Sequence, residues 1–305
     1  MKRFWKDVAV KREHGGWGIL LDGRPVKTPA RVALAVPTER LAAAWRDCRD
    51  HGRDRCLVRA ADPQARVGRA GPEAAVKRFW KDVAVEREDG GWGILLDGRP
   101  VKTPARVALA VPTEGLADAI ADEWRSVGEA IDPRAMPLTG LANAAIDRVG
   151  PARQGFADGL AKYAEADLAC YRADGPDTLV DRQEESWDEL LAWARRRYDV
   201  DFATTTGLTH VTQPAATVER LAHEVSALDA FRLAGLSPLV TIGGSLVGAL
   251  SVLEKAMTPE QVWQAVSLDD QWQLERWGSD AEAEAGLENR RRDFLAAARF
   301  LELLD

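Results

Sequence analysis

Cysteine is nearly absent. The chain has three in 305 residues, Cys48, Cys56 and Cys170, and no two of them form a C-x-x-C pair. That excludes a disulfide scaffold and a cysteine-rich zinc module. The four histidines, His14, His51, His210 and His223, are scattered without metal-ligand spacing. No G-x-x-x-x-G-K-[ST] phosphate loop occurs, and no G-x-G-x-x-G follows a strand. His223-Glu224 lacks the second histidine that a zinc-protease helix needs one turn later. Gly243-Gly244-Ser245-Leu246-Val247 carries valine where a nucleophile elbow needs glycine, and its surroundings are helical. No catalytic residue, cofactor or metal is therefore expected. Excess positive charge is lacking too: the net charge is −7, which disfavours a nucleic-acid-binding surface.

Targeting signals are equally sparse. The segment Met1–Asp7 is basic but leads into no long apolar run, so a secretory signal peptide is absent. Asp7 and Glu13 argue against a mitochondrial transit peptide. The expected location is the bacterial cytoplasm. One uncharged stretch, the 21 residues from Leu233 to Leu253, is long enough to cross a bilayer. It is interrupted by glycine, serine and Pro238, and the proline suits the start of a helix. The apolar helical part is then the size of a buried core helix, and no membrane insertion is expected. Gly244 and Gly248 form a G-x-x-x-G step suited to tight core packing.

What the chain does have is the balance of a globular protein, with 46% apolar and 29% charged residues. Tryptophan is over-represented, 11 against 7 phenylalanines and 3 tyrosines. Most of these serve cores, and some serve as interface anchors. Residues 2–42 and 77–117 are nearly the same text, identical at 38 of 41 positions. A single pair is not a solenoid. Such identity means either a recent duplication or an error in the gene model. Two identical strand sets compete for one set of partners, and the second copy is expected in the native place because its connection to the next helix is short. Arg46–Ala75, with seven arginines and no sustained period, reads as a linker. Residues 1–76 carry 16 basic and 9 acidic side chains, whereas 77–305 carry 25 and 39, so the first part looks added.

From residue 77 the patterns change once. Phe79–Val85, Trp92–Leu96 and Val107–Val111 read as strands, with Asp97-Gly98 as a type I′ hairpin turn and Pro100 at a sheet edge. Thr113 is the N-cap candidate of a helix over Leu116–Val127. Further helices are predicted over 138–149, 154–165, 178–198, 217–233, 238–257, 259–277 and 280–304, with a short strand at Phe202–Thr206. The fold class is α+β: a small antiparallel β-containing N-terminal domain followed by an α-helical C-terminal domain. The expected divisions are 1–76 for the partial duplicate and linker, 77–165 for the β-containing domain, and 166–305 for the helical one.

Cys170 reads as a buried apolar thiol. The carboxylate pairs Glu184-Glu185 and Asp269-Asp270 read as solvated helix faces. The most distinctive text is Leu268-Asp269-Asp270-Gln271-Trp272-Gln273-Leu274-Glu275-Arg276-Trp277-Gly278. Trp272 and Glu275 share a helix face, and Gly278 suits the residue after a helix end. One reading is a helix end packing its tryptophans on the core. The other is a protein-docking surface with aromatic anchors and charges that set register.

The blocks KRFWKDVAV, GGWGILLDGRPVKTPA, LADAIADEW, IDPRAMPLTGLANAAID, ADLACYR and WQLERWG together resemble the assembly chaperones of the F1-ATPase alpha subunit. The resemblance runs through 77–305 and a second time over 2–42, and a member of that family begins near Val76. It implies a β-containing N-terminal domain joined to a helical one, no catalysis, and a protein partner, the free alpha subunit, held until beta arrives. It also implies a functional acidic residue in the helical domain, which falls on Glu275. Trp272, Trp277 and Asp269 join it as partner-binding residues on the helix-face argument. The competing reading is a soluble enzyme with a carboxylate-based active site, which predicts a deep pocket of convergent ionisable groups.

Overall fold

The computed structural model describes residues 76–88, 90–207, 209–278 and 281–305, together with four strands near the start of the chain. The arginine-rich passage Arg46–Ala75, read as a linker, lies outside the described residues, as do His14 and His51. The chain divides into two units, Met1–Ala74 and Ala75–Asp305.

In the first unit, β1 (Val8–Glu13), β2 (Gly16–Leu21), β3 (Arg24–Pro25) and β4 (Ala35–Val36) form an antiparallel sheet. In the second unit, β5 (Val83–Glu88), β6 (Gly91–Leu96), β7 (Arg99–Pro100) and β8 (Ala110–Val111) form another. Each has the same pairing. Val8 faces Leu21 and Glu13 faces Gly16 in one; Val83 faces Leu96 and Glu88 faces Gly91 in the other. In the second sheet β6 is central, flanked by β5 on one side and by β7 and β8 on the other. Asp97 and Gly98 both have positive φ, 49° and 74°, as a type I′ turn requires. A side chain on Gly91 would lie 2.3 Å from the carbonyl oxygen of Val111, so only glycine lets β8 approach β6 there.

Helix α1 (Glu114–Arg125) follows directly, with the Thr113 hydroxyl accepting the Leu116 N–H as its N-cap. It packs on the sheet and buries Leu116, Ala117 and Ile120 in the same core as Ile94 and Leu96. Trp124 meets Trp80 edge-on at 5.2 Å. The second copy of the repeated text thus runs directly into a helix. Glu123 then fixes the next element. Its carboxylate accepts the backbone N–H groups of Leu138 and Thr139, both at 2.8 Å, and so caps α2 (Pro137–Ala144). Burial pushes the pKa of Glu123 up, against the pull of those hydrogen bonds.

The rest is helical: α3 (Arg153–Ala161), α4 (Asp177–Tyr198), α5 (Ala215–Ser226), α6 (Ala230–Gly243), α7 (Leu246–Leu253), α8 (Pro259–Val266), α9 (Leu268–Trp277) and α10 (Ala281–Glu302). A two-stranded parallel pair, β9 (Tyr171–Arg172) with β10 (Thr205–Thr206), closes the α4 loop region. The architecture is α+β, as the pattern of the sequence predicts.

Helix α6 is the centre of this body and buries residues on several faces, including Leu233, Leu236, Leu239 and Val240. Gly235 lets α10 cross it, since a Cβ there would sit 2.6 Å from Leu301. Pro238 does not begin a helix but lies inside this one. The start is set upstream by Asp229, whose carboxylate accepts the N–H groups of Phe231 and Arg232. The uncharged stretch is broken instead at Gly244 (φ 67°), and Ser245 caps α7. Among the described residues no helix is long and apolar enough to cross a membrane. Gly248 stands where α7 meets α8, with Val262 at 3.1 Å from a hypothetical Cβ, in line with close packing at that step.

Ser245 is not exposed. It caps α7 beside Asp167, a fully buried carboxylate that accepts the N–H groups of Ala169 and Val247. Burial raises the Asp167 pKa. Cys170 is buried nearby, and burial pushes its thiol up to about 12, so it is an inert packing residue.

Candidate functional site

The segment singled out by its acids and tryptophans is α9, and the chain leaves the core just before it. Helix α8 is stopped at its start by a capping box, in which Thr258 and Gln261 satisfy each other's backbone. It buries Val262, Trp263 and Ala265. At Ser267 the helical direction changes: its hydroxyl donates to the Trp263 carbonyl and accepts from the Gln271 amide, both at 2.6 Å. The predicted continuous helix 259–277 is therefore two helices. None of the ten residues of α9 is buried.

Each carboxylate of α9 is held by a side chain from elsewhere. Asp269 accepts from the Gln183 amide at 2.7 Å. Asp270 accepts from Arg290 of α10 at 2.8 Å. Glu275 accepts from Arg182 at 2.7 Å. Adjacent residues of α4 thus grip both halves of α9. Gln183 is only 1% exposed, and its own carbonyl oxygen accepts the Ala173 N–H at 2.7 Å. Behind it, Arg172 donates to the Gln183 backbone carbonyl and to Asp188, and lies over the Trp187 ring at 5.3 Å. Trp187 in turn donates to the Ala265 carbonyl at the end of α8. Asp269 is the outer end of a buried polar chain, and Glu275 belongs to an exposed pair.

The tryptophans divide likewise. Trp272 is half-buried, and Trp277 is 73% exposed. Their rings meet edge-on, 5.7 Å apart at 83°. Neither the core reading nor the docking reading covers both: Trp272 is a partly covered platform and Trp277 stands on it in solvent. Gly278 ends the helix with φ 88°. The structure brings Asp269, Trp272, Glu275 and Trp277 together on one helix. It adds Arg182, Gln183 and Arg290, which the sequence reading missed. Nothing local to those three marks them, because their partners lie on other helices.

Two grooves flank α9. One of about 490 Å³ lies between α9 and α10, lined by Leu274, Trp277, Gly286 and Leu287, among others. The other, of about 320 Å³, is bordered by Trp263 of α8 and by Glu260, Glu284 and Glu288. A third, of about 420 Å³, lies between α1, α2 and α10, beside Glu123 and Arg299. His210 stands apart from all of these. Its ring nitrogens lie 3.1 Å from the Tyr171 hydroxyl and 3.5 Å from Glu165. Glu184 and Glu185 are exposed on α4, and His223 is exposed on α5. Among the described residues no group of three His, Cys, Asp or Glu side chains is placed to hold a metal ion.

The sequence matches the ATP12 chaperone protein family over residues 2–47 and again over 77–195. The fold is similar to the crystal structure of Atp12 from Paracoccus denitrificans, with a TM-score of 0.72 and 42% identity, covering 75% of this chain and 99% of that one. An aspartate-to-lysine variant of the P. denitrificans protein superimposes with the same TM-score of 0.72 at 41% identity, covering 75% of this chain and 98% of that one. Protein atp12, mitochondrial, of Schizosaccharomyces pombe is 27% identical over 223 residues, 68% of this chain and 76% of that protein. With the family matched on both sides of the repeat and the whole P. denitrificans fold reproduced, the chain belongs to the ATP12 chaperone family, a family of F1-ATPase assembly chaperones.

Proposed function

We propose that the chain binds the free alpha subunit of F1-ATPase, without turnover, and releases it to beta, and that α9 is the contact. The observation that carries this reading is the exposure of Trp277, at 73%, on a helix that buries none of its ten residues. A large aromatic left in water at the end of a helix is the kind of anchor that dominates protein interfaces. An unassembled subunit exposes an apolar surface that invites aggregation. A chaperone must cover that surface yet yield it, which calls for a small contact with exposed charges at its rim. Glu275 supplies such a charge, Trp272 supports Trp277, and Asp269 fixes the helix. The contact lies in the helical part, 166–305. We place the protein in the bacterial cytoplasm.

The test is to dilute denatured alpha subunit into the purified chain and separate the products by size-exclusion chromatography. A soluble one-to-one complex that dissociates when beta is added is the expected result. Alpha precipitating as it does alone is the result that removes the reading.

A further inference from the structure

Gly286 lies inside α10, where glycine is the poorest helix former after proline. Packing explains Gly235, whose missing side chain makes room for Leu301, but it does not explain Gly286: among the described residues, nothing beyond its chain neighbours and its own helix's backbone lies within 4 Å of where its Cβ would stand. Gly140, Gly155 and Gly159 also face open space, yet none of them lines the three grooves around α1, α9 and α10. Gly286 does. It lines the 490 Å³ groove together with Trp277, and Gly278 lines it too. A groove whose rim lacks side chains at two places admits a foreign backbone closely.

The chemistry of the groove is uneven. Leu274 and Leu287 line both this groove and its neighbour, giving them a shared apolar element. Within the larger groove, Asp270 and Arg290 neutralise each other at 2.8 Å. In the neighbouring one, Arg291 meets Glu288 at 3.5 Å, which leaves Glu260 and Glu284 as an excess of negative charge. The same face of a second copy would bring these acids against themselves, so self-association through a two-fold contact is disfavoured. The occupant that fits is foreign, apolar at its centre and basic at its flank.

We infer that the groove between α9 and α10 receives a segment of the client subunit bearing a large apolar side chain beside a lysine or arginine. The inference rests on the proposed chaperone role and assigns the place and chemistry of its contact. The apolar side chain sits on Leu274 and Leu287 with Trp277 as its outer wall, and the cation faces Glu284 and Glu260.

The experiment measures the affinity of the full chain for alpha subunit, using wild type, Gly286→Leu, Gly286→Ala and the double variant Glu284→Lys/Glu260→Lys. Leucine favours the helix and fills the groove. Gly286→Leu is expected to keep its circular dichroism and melting temperature while binding about tenfold more weakly or worse. Gly286→Ala should bind within about threefold of wild type. The charge reversal should weaken binding and flatten its dependence on salt, because the lost contact is electrostatic. Should Gly286→Leu melt lower than wild type, the charge reversal and its salt dependence decide. Wild type binding alpha while Gly286→Leu and the charge reversal bind equally well overturns the groove and leaves the chaperone role standing. Wild type failing to bind alpha removes both. Self-association of wild type that Gly286→Leu abolishes, with alpha binding unchanged, makes a second copy the occupant and overturns the inference.

Discussion

Arg182 donates to Glu275 at 2.7 Å, so the residue expected to face a partner is also what ties the last turns of α9 to α4. Both side chains are about half exposed, which limits the worth of the pair to roughly 0–1 kcal/mol. Glu275→Lys should therefore leave the fold intact, with a drop in melting temperature of a few degrees at most, while weakening alpha binding. Combining it with Arg182→Glu restores an ion pair of reversed polarity. Binding recovered in the double variant identifies Glu275 as a positioning residue; binding still lost identifies it as a contact. Loss of helix content in Glu275→Lys alone would undermine the assignment of this surface.

Trp277 offers the opposite balance. It is exposed, so Trp277→Ala removes little buried area within the chain and should leave stability within about 0.5 kcal/mol. Complex formation should fall by about tenfold or more if the ring is an anchor. Titration of alpha against both proteins, alongside denaturant melts, checks the two halves of this expectation together.

Gln183 links the core to α9. Gln183→Ala leaves the Ala173 N–H without its acceptor and Asp269 without its donor, and should destabilise by about 1–3 kcal/mol. Hydrogen exchange should quicken in Leu268–Trp277 more than in α4 itself. Uniform quickening through the molecule would show that Gln183 only supports the core.

Asp167 is a buried carboxyl group whose oxygens accept backbone N–H groups. Asp167→Ala leaves the N–H groups of Ala169 and Val247 unpaired and should cost about 2–4 kcal/mol. Asp167→Asn keeps one acceptor where two are used and should fall between alanine and wild type. Urea melts of the three proteins order them; an unchanged midpoint for alanine would show that water replaces the carboxylate.

Asp305 ties α6 to the turn that follows α7. Asp305 accepts from Lys255 and Arg232, both at 2.9 Å, and the Lys255 and Arg232 contacts hold its carboxyl below the usual range despite some burial. A lowered folded-state pKa gives stability that is present above the unfolded value of about 3.9 and is lost as pH falls through the folded value. Asp305→Asn should thus melt slightly below wild type at pH 7, and the gap should close as pH falls through the lowered folded-state value. A gap that persists at pH 2 would assign the effect to packing rather than charge.

Local chemistry was legible in the sequence, and tertiary chemistry was not. The Asp97-Gly98 turn, the Thr113 cap and the helix predicted over 178–198 follow from short-range rules, and all three are present, the last as Asp177–Tyr198. Pro238 misled because the helix start lies at Asp229, where a capping carboxylate outweighs one lost hydrogen bond. The break at Ser267 was hidden because the apolar pattern runs through it. At the candidate site, Asp269, Trp272, Glu275 and Trp277 were visible as a patch. Their partners Gln183 and Arg182 lie 86 and 93 residues away, and no spacing rule reaches that far.

The two sheets share one more lesson. The same text, set at two places in the chain and followed by different sequence, adopts one register in both. The pairing is therefore written within the segment itself, in its tight turns and short loops, and does not wait for distant contacts. Hairpins of this kind close in roughly 1–10 μs, faster than any contact that must join residues a hundred or more apart. On the ribosome, each sheet can be in place before the helices from Glu114 onward have been made.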